Sequence, residues 1–240
     1  VPNKTFPMDV RHDYDGNPCS HRKAHNIYGT QMARATYHGV KRFAYPKRPF
    51  VITRSAYSGS QRYTSSWTGD NVATWEHLWI ANIQVQRMCI SGMGFTGSDI
   101  GGFAEQPSGE LYARWIQLGV FHPFCRTHSS GDHGNQEPWA FDEEVIDITR
   151  KFVNLRYQLL PYLYTMFWQY IEDGIPMLKP LVYYDQDDIQ THYRNDEFIF
   201  GNQILVCPIL EPNSLGRRLF VPRGQWYNYW TNELIAGGRE

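Results

Sequence analysis

The chain has few cysteines, no long apolar run and almost no excess of charge of either sign. Its four cysteines are widely spaced among 240 residues and form no Cys-x-x-Cys pair, so neither a zinc site nor a redox pair is indicated. No apolar run reaches the ~20 residues that a membrane-spanning helix needs. A net charge of −1 leaves no basic surface of the kind that binds nucleic acid or anionic lipid. We therefore expect free thiols, no metal site, and no nucleic-acid or membrane partner.

Aromatic residues, by contrast, are abundant. They make up 15% of the chain and include 8 Trp and 16 Tyr. Sugar rings present apolar C–H faces with a rim of hydroxyls, and flat aromatic side chains with polar tips match both. A large core with amphipathic surface tyrosines gives the same composition, and composition alone favours that second explanation.

Short apolar runs that end in a polar side chain alternate with helix-like segments between residues 49 and 174. The runs end at four groups of ionisable residues, which are Arg54, Asp70, Asp99 and Arg126 with His128. Apolar residues spaced by three or four predict helices after the second and third runs. They also predict one long helix over about residues 141–172, with a kink at Pro161 and an end at Gly174.

This alternation is typical of parallel β/α units. Four such strands are about half of an eight-stranded (β/α)8 barrel, in which the C-terminal strand ends carry the chemistry. We therefore expect Arg54, Asp70 and His128 to converge on one rim. A doubly wound sheet shows the same alternation, so periodicity leaves both architectures open.

The two ends of the chain have different patterns. Residues 1–24 predict a long loop, and the spacing after them predicts a helix over residues 25–38 that stops at Gly39. After Gly174, short strand-like runs with turn residues between them predict a β-sandwich that is incomplete at residue 240. These runs are residues 181–184, 197–200, 204–208, 218–222 and 225–230. The sequence thus predicts two domains, residues 1–174 and residues 175–240.

Asp70 is the best candidate for an acid/base catalyst. It follows Trp67 and a flexible glycine, Gly69, at the end of a predicted strand. Glycoside hydrolysis commonly needs two carboxyl groups, one of which protonates the leaving oxygen and is kept protonated by burial or by a nearby negative charge. Taken alone, the segment favours a simpler role, in which Asp70 and Asn71 cap the following helix.

Motifs along nearly the whole chain resemble glycoside hydrolase family 31. They are His25-Asn26-Ile27-Tyr28-Gly29; Arg48-Pro49-Phe50 with Arg54-Ser55; Gly59-Ser60-Gln61-Arg62-Tyr63; Trp67-Thr68-Gly69-Asp70-Asn71; Ile90-Ser91-Gly92; Gly97-Ser98-Asp99-Ile100-Gly101-Gly102-Phe103; Pro123-Phe124 with Arg126 and His128; Leu155-Arg156-Tyr157 with Leu159-Leu160-Pro161-Tyr162; and Gly224 with Trp226-Tyr227 and Tyr229-Trp230. So many blocks in one order are far more specific than a single short motif. The resemblance implies the second half of a (β/α)8 TIM barrel followed by an incomplete all-β sandwich.

The resemblance also implies roles for single residues. Asp70 matches the family's general acid/base, Arg54 matches a residue that contacts sugar hydroxyls, and His128 matches a residue that binds the sugar at the non-reducing end. The same pocket is lined by positions that match Trp67, Asp99 and Phe103.

Each assignment of a pocket residue has an alternative that involves no substrate. In these alternatives Arg54 is a partner in a structural ion pair, and His128 is a hydrogen-bonded histidine at a strand end. Asp99 orients Arg126 and touches no sugar. The two aromatic positions belong to the hydrophobic core.

One element of the family has no match in this chain. It is the attacking Asp of a Trp-x-Asp-Met-Asn-Glu block, which in the family precedes the matched region. The resemblance therefore implies a fragment whose nucleophile and first barrel strands lie upstream of Val1, in the N-terminal half of the same enzyme. We expect such a fragment to be inactive by itself.

The activity implied by the resemblance is that of a retaining, exo-acting α-glucosidase that acts on oligosaccharides without a metal or organic cofactor. An α-xylosidase of the same family is one alternative. A non-catalytic carbohydrate-binding subunit is another. A binding protein needs no proton donor, so the presence of Asp70 with Arg54 and His128 favours the enzyme.

Overall fold

The computed structural model describes residues 5–132 and 134–238. Within these residues the chain divides into two compact units, one up to Ser66 and one from Trp67 onward. The sequence predicted a domain boundary after residue 174 from the change of pattern there. The division into compact units does not test that boundary, which stays a prediction.

The first unit contains one long helix, α1 (His21–Phe43). It is preceded by a short antiparallel pair, β1 (Arg11–His12) and β2 (Cys19–Ser20). The predicted long loop over residues 1–24 is therefore wrong at the two strands and from His21 onward, where α1 begins. The helix also continues through Gly39, because a single interior glycine costs a helix only about 1 kcal/mol.

The first predicted strand is present as a short extended segment. The Ser65 N–H donates to the carbonyl of Val51 over 2.9 Å, and the Thr53 N–H donates to the carbonyl of Ser65 over 3.0 Å. Ile52 and Ser65 pair in parallel. This parallel pairing agrees with the predicted β/α pattern.

The second unit begins without the predicted strand that ends at Asp70: residues 66–71 form no strand, and only Val72 next to them makes a parallel bridge, with Ala104. The helices α2 (Trp75–Ile90) and α3 (Gly109–Gly119) flank the strand β3 (Asp99–Ile100), which pairs in parallel with β4 (Arg126–Thr127). Both helices were predicted, since their apolar side chains recur every three or four residues. Parallel strands with intervening helices are the arrangement expected of β/α units.

The predicted long kinked helix is instead two helices. They are α4 (Glu143–Gln158) and α5 (Leu160–Asp173), which meet at Leu159. Pro161 lies in the first turn of α5, where its missing N–H leaves no hydrogen bond unmade. Gly174 ends α5 in the left-handed region, with φ 71°, as its position predicted.

Three short antiparallel strands follow α5, in the order β5 (Leu178–Pro180), β6 (Phe198–Phe200) and β7 (Ile204–Val206). The last two were predicted. The run over residues 181–184 was predicted as a strand, but it forms a short helix, α6 (Leu181–Tyr184). Periodicity cannot separate strand from helix over four apolar residues.

A separate hairpin ends the described chain. It pairs β8 (Gln225–Tyr227) with β9 (Leu234–Ala236), and the sequence predicted only the first of these strands. Of the predicted run over residues 218–222, only Val221 forms a β-bridge.

The core of the second unit packs α2, α3 and α5 against β3 and the three-stranded sheet. Its largest fully buried side chains include Trp115, Tyr112, Phe198, Phe200, Leu78, Ile100 and Leu118. All four cysteines are free, as predicted. None of the described helices combines the length and apolarity that crossing a bilayer requires.

Candidate active site

The backbone around Asp70 is held on both sides. On the N-terminal side, the Thr68 N–H donates to the carbonyl of Gly97 over 3.0 Å. On the C-terminal side, the carbonyl of Asn71 accepts the Phe103 N–H over 2.7 Å. The Asp70 side chain is exposed, so this framework presents its carboxyl group to solvent.

The residues next to Asp70 form a tight turn. Gly69 has φ 83°, in the left-handed region that glycine adopts without strain. The Asn71 N–H donates to the Gly69 carbonyl over 3.0 Å, and the Thr68 hydroxyl donates to the Asn71 side-chain oxygen. The Trp-Thr-Gly-Asp-Asn sequence therefore folds locally into a turn that displays the aspartate.

Neither Asp70 nor Asn71 caps the following helix. The N-cap of α2 is Thr74, whose hydroxyl oxygen accepts the His77 N–H over 3.2 Å. The capping alternative is therefore wrong, because the cap lies four residues beyond Asp70.

Asp99 and Arg126 lie opposite each other on the parallel strands β3 and β4. The Arg126 Nε and Nη2 atoms lie 3.2 and 3.1 Å from the same carboxylate oxygen, Oδ1 of Asp99. The guanidinium carbon is 5.2 Å from the ring centroid of Trp67 and 5.1 Å from that of Phe124. Asp99 thus pairs with Arg126, and its contact with substrate stays a prediction.

The Asp99 carboxyl group is fully buried. Burial raises its pKa above the ordinary value of 3.8, and the electrostatic interactions with Arg126 and His128 oppose that rise. The Trp67 N–H also lowers this pKa. Within the described part of the chain, however, neither the Trp67 Nε1 nor the Asp99 Oδ2 atom makes a hydrogen bond of good geometry. The indole therefore acts on the carboxylate as a nearby dipole.

Phe103 and His128 form the exposed part of the same region. Their ring centroids are 5.2 Å apart, with 36° between the ring planes. The Ser130 N–H donates to the Phe103 carbonyl over 2.9 Å, which joins the segments that follow β3 and β4. His128 is exposed and Phe103 is half-buried, so both rings are accessible to a ligand.

Two glycines shape the turn that leads to Phe103. Gly101 and Gly102 have φ of 85° and 88°. A Cβ atom on Gly102 would lie 2.6 Å from the backbone nitrogen of Ala73, so the two segments approach more closely than any other residue allows. The Gln136 side-chain amide donates to the Gly102 carbonyl over 2.8 Å and supports the turn.

Five of the six predicted site residues therefore belong to one neighbourhood of the second unit. Contacts link the side chains of Trp67 and Asp99 through Arg126, and those of Phe103 and His128 directly, while the backbone next to Asp70 is bonded to Phe103. The sixth, Arg54, belongs to the first unit. The predicted convergence of Arg54 with Asp70 and His128 stays a prediction.

Arg54 is exposed at the end of the extended segment of the first unit. There it lines a cleft of about 630 Å³ together with Thr53, Ser55 and the α1 residues His25 and Asn26. Apolar side chains, among them Phe6 and Met32, line the same cleft.

Sequence reasoning missed the buried layer beneath the site. Arg156 donates to the carbonyl oxygens of Val120, His122 and Pro123 over 2.8, 2.6 and 2.8 Å. These carbonyls lie in the turn that leads into β4. The Leu-Arg-Tyr motif was visible in the sequence, but nothing local indicates that its arginine reaches a turn 33 to 36 residues away.

His122 is also buried in this layer. Burial, together with the nearby Arg156, lowers its pKa to about 3. Its Nδ1 atom is 3.5 Å from the hydroxyl of Ser98, which accepts the Trp115 indole N–H over 3.0 Å. A histidine with so low a pKa stays neutral near pH 7, so it supports the strand that bears Asp99 and does not exchange protons there.

The described residues contain no group of three or more His, Cys, Asp or Glu side chains that could hold a metal ion.

Two family models match the chain in order. The model of the glycosyl hydrolases family 31 TIM-barrel domain matches residues 2–166, and that of the glycosyl hydrolase family 31 C-terminal domain matches residues 174–240.

Curated relatives align with almost the whole chain. Alpha-glucosidase 2 of Bacillus thermoamyloliquefaciens is 45% identical over 239 residues, which are 99% of this chain and 30% of the relative. Glucosidase 2 subunit alpha of Saccharomyces cerevisiae is 40% identical over 231 residues, 95% of this chain and 24% of the relative. The chain thus spans less than a third of the length of these relatives.

Solved structures also align with almost the whole of this chain. The glucosidase II alpha subunit in its Glc1Man2-bound form matches with a TM-score of 0.93 at 35% identity, over 99% of this chain and 26% of that one. The cycloalternan-degrading enzyme from Trueperella pyogenes, in complex with a covalent intermediate, matches with a TM-score of 0.91 at 27% identity, over 98% and 33% of the two chains.

Proposed function

Because this chain belongs to family 31 of the glycosyl hydrolases, we propose that it is part of an exo-acting α-glucosidase that hydrolyses terminal α-linked glucose with net retention. Asp70 is the general acid/base. The observation that carries this proposal is that Asp70 is exposed on a turn held against the Phe103 segment and is separate from the helix cap.

Asp70 takes part in both steps of this reaction. In the first, the attacking carboxylate forms a bond to the anomeric carbon while the bond to the glycosidic oxygen breaks, and the protonated carboxyl group of Asp70 donates its proton to that oxygen. In the second, water attacks the same carbon and displaces the attacking carboxylate, and the Asp70 carboxylate takes a proton from that water. Exposure of the side chain suits both steps, because the leaving group departs and the water enters on this side.

The attacking carboxylate comes, in this proposal, from a part of the enzyme upstream of the chain. Retaining glycosidases place their two carboxyl groups about 5–5.5 Å apart. We therefore expect residues 1–240 alone to hydrolyse no aryl α-glucoside. Turnover by the pure 240-residue protein would mean that the nucleophile lies within it.

The pocket residues divide into two groups. Arg54 and His128 are exposed and carry hydrogen-bond donors for sugar hydroxyls, and the Phe103 ring offers an apolar surface. Trp67 and Asp99 contribute from the wall behind them, where Arg126 links the two side chains.

We further propose that residues 1–174 are the second half of a (β/α)8 barrel and that residues 175–240 begin a β-sandwich domain. The parallel pairing of β3 with β4 supports the first assignment. The antiparallel strands that follow Gly174 support the second.

Glucose is the sugar favoured over xylose, because the relatives described above are named as glucosidases. A non-catalytic sugar-binding subunit is the less favoured function. A binding site needs no proton donor, whereas the proposed hydrolysis does.

The Asp70→Ala variant of the full-length enzyme tests the proposal. Cleavage of an aryl α-glucoside with a very good leaving group needs no proton, so formation of the glycosyl-enzyme should be nearly unchanged. Substrates with poor leaving groups should lose roughly 10²–10⁴-fold in rate. Deglycosylation should also slow, and added azide should restore it and yield an α-glucosyl azide.

A matched control is Asp147→Ala, which removes an exposed carboxylate that pairs with Arg150 on α4. Its kinetics should equal those of the unchanged enzyme. An equal loss for good and poor leaving groups in Asp70→Ala, with no azide product, would mean that Asp70 is not the acid/base.

A further inference from the structure

We propose that Arg126 is a positioning residue of this site, one that holds the Trp67 indole and the Asp99 carboxylate in place and thereby sets the pocket wall next to Asp70. The kinetic part of this inference rests on the proposed function. Its structural part rests only on the contacts within the second unit.

Arg126 occupies the centre of a four-residue cluster. Two of its nitrogens contact one oxygen of Asp99, and the aromatic rings of Trp67 and Phe124 each lie about 5 Å from its guanidinium carbon. The planar guanidinium group thus pairs with the Asp99 carboxylate through its nitrogens and also contacts two aromatic rings. The ammonium of a lysine is a compact point charge and cannot meet both demands in this way.

The Trp67 indole depends on this contact for its orientation. Its buried Nε1 atom makes no hydrogen bond of good geometry within the described residues, and its N–H acts on the Asp99 carboxylate as a nearby dipole. The charged groups beside the ring are the Arg126 guanidinium and the Asp99 carboxylate, which are paired with each other. The orientation of the ring therefore depends on that pair.

Asp99 depends on Arg126 in a different way. The carboxyl group is fully buried, whereas the Arg126 side chain keeps 29% of its surface exposed. A buried carboxylate that loses its partner cation becomes strongly destabilised. Removal of Arg126 should thus move or protonate Asp99. Because Asp99 belongs to β3, the position of that strand next to the Phe103 turn should change as well.

The kinetic experiment compares Arg126→Met, Arg126→Lys and the control Arg150→Met in the full-length enzyme, with a p-nitrophenyl α-glucoside as substrate. Displacement of the pocket wall should lower kcat/KM by roughly 10- to 100-fold in Arg126→Met. Arg126→Lys restores the charge but not the planar contact, so it should recover folding stability while kcat/KM stays low. Arg150 is exposed on α4, so its replacement should change neither folding stability nor kcat/KM.

The structural experiment labels the same proteins with 5-fluorotryptophan and records their ¹⁹F NMR spectra. The Trp67→Phe variant identifies the Trp67 signal by its absence. That signal should shift or broaden in both Arg126 variants and stay unchanged in Arg150→Met. This measurement needs no substrate, so it tests the structural part of the inference independently of activity. If the unchanged enzyme fails to hydrolyse the glucoside, that failure contradicts only the proposed function.

A double-mutant cycle with Asp99→Asn completes the test. If the two side chains act as one unit, the Asp99→Asn/Arg126→Met protein should lose less kcat/KM than the product of the two single losses. The proposal is overturned if Arg126→Met has a kcat/KM within about twofold of that of the unchanged enzyme and an unchanged Trp67 signal. It is also overturned if Arg126→Lys matches the unchanged enzyme in kcat/KM and in the Trp67 signal, since a positive charge alone would then be enough to position the wall.

Discussion

The hydroxyl oxygen of Thr74 accepts a hydrogen bond from the backbone N–H of His77, 3.2 Å away, and this contact begins helix α2. Asp70 lies four residues earlier on a separate turn. The capping residue and the catalytic candidate are thus different residues, although the sequence segment alone favoured Asp70 and Asn71 as the cap. Mutation of Thr74 should therefore lower folding stability, whereas mutation of Asp70 should lower activity.

Thr74→Ala should lower the free energy of unfolding by about 1 kcal/mol, because the first turn of α2 loses its side-chain acceptor. Asp70→Ala should change it by no more than roughly 0.5 kcal/mol, as expected of an exposed residue. Urea unfolding measures both, and Thr74→Ser is the control that keeps the hydroxyl. A larger loss of stability in Asp70→Ala than in Thr74→Ala would contradict this division of roles.

Arg156→Met should destabilise the protein by roughly 3 kcal/mol or more, because three buried turn carbonyls lose their donor and each unsatisfied group costs about 1–3 kcal/mol. Arg156→Lys should lose less, since an ammonium can still bond to one or two of the oxygens. Denaturant unfolding of both variants beside Arg150→Met gives the comparison. Equal stability of Arg156→Met and the unchanged protein would show that water replaces the guanidinium.

The stability of the protein should fall in acid because of His122. Its pKa is about 3 when folded and 6.5 in its ordinary environment, so the unfolded chain binds more protons between these values. The stabilisation is complete above pH 6.5 and is lost as pH falls toward 3, with a slope of up to about 1.4 kcal/mol per pH unit.

His122→Gln removes this titration, so its unfolding free energy should vary less steeply between pH 6.5 and pH 4. Urea unfolding at several pH values tests the difference, with His38→Gln, an exposed histidine on α1, as the control. Parallel pH profiles for His122→Gln and the unchanged protein would mean that His122 is not buried in its neutral form.

Gly102→Ala should destabilise the protein and lower its activity. The left-handed φ of 88° costs a non-glycine residue about 1–3 kcal/mol, and the new Cβ atom would lie 2.6 Å from the backbone nitrogen of Ala73. The turn that carries Phe103 should therefore shift. Gly39→Ala is the matched control: it lies inside helix α1 with no atom within 4 Å of the new Cβ, and should stabilise by about 0.5–1 kcal/mol. Changes of the same sign in both variants would contradict this account.

Local signals in the sequence were sufficient for several parts of the fold. Helices α2 and α3 were predicted from apolar residues at every third or fourth position, and Gly174 was predicted as a helix end because glycine adopts the left-handed conformation there. Where local signals were weak, the prediction was wrong. Leu181–Tyr184 is a helix and not a strand, since four apolar residues satisfy both periods and the neighbouring strands decide between them.

The sequence by itself determined the family and the identity of the acid/base candidate, because ordered motifs are a property of the chain and need no coordinates. Only the tertiary structure decided what surrounds that candidate. Thr74 and not Asp70 caps α2, Arg126 contacts Trp67 and Asp99, and Arg156 holds a turn more than thirty residues away. The contacts of Arg126 and Arg156 join residues distant in sequence, and their partners are selected by packing and burial after the strands and helices have assembled.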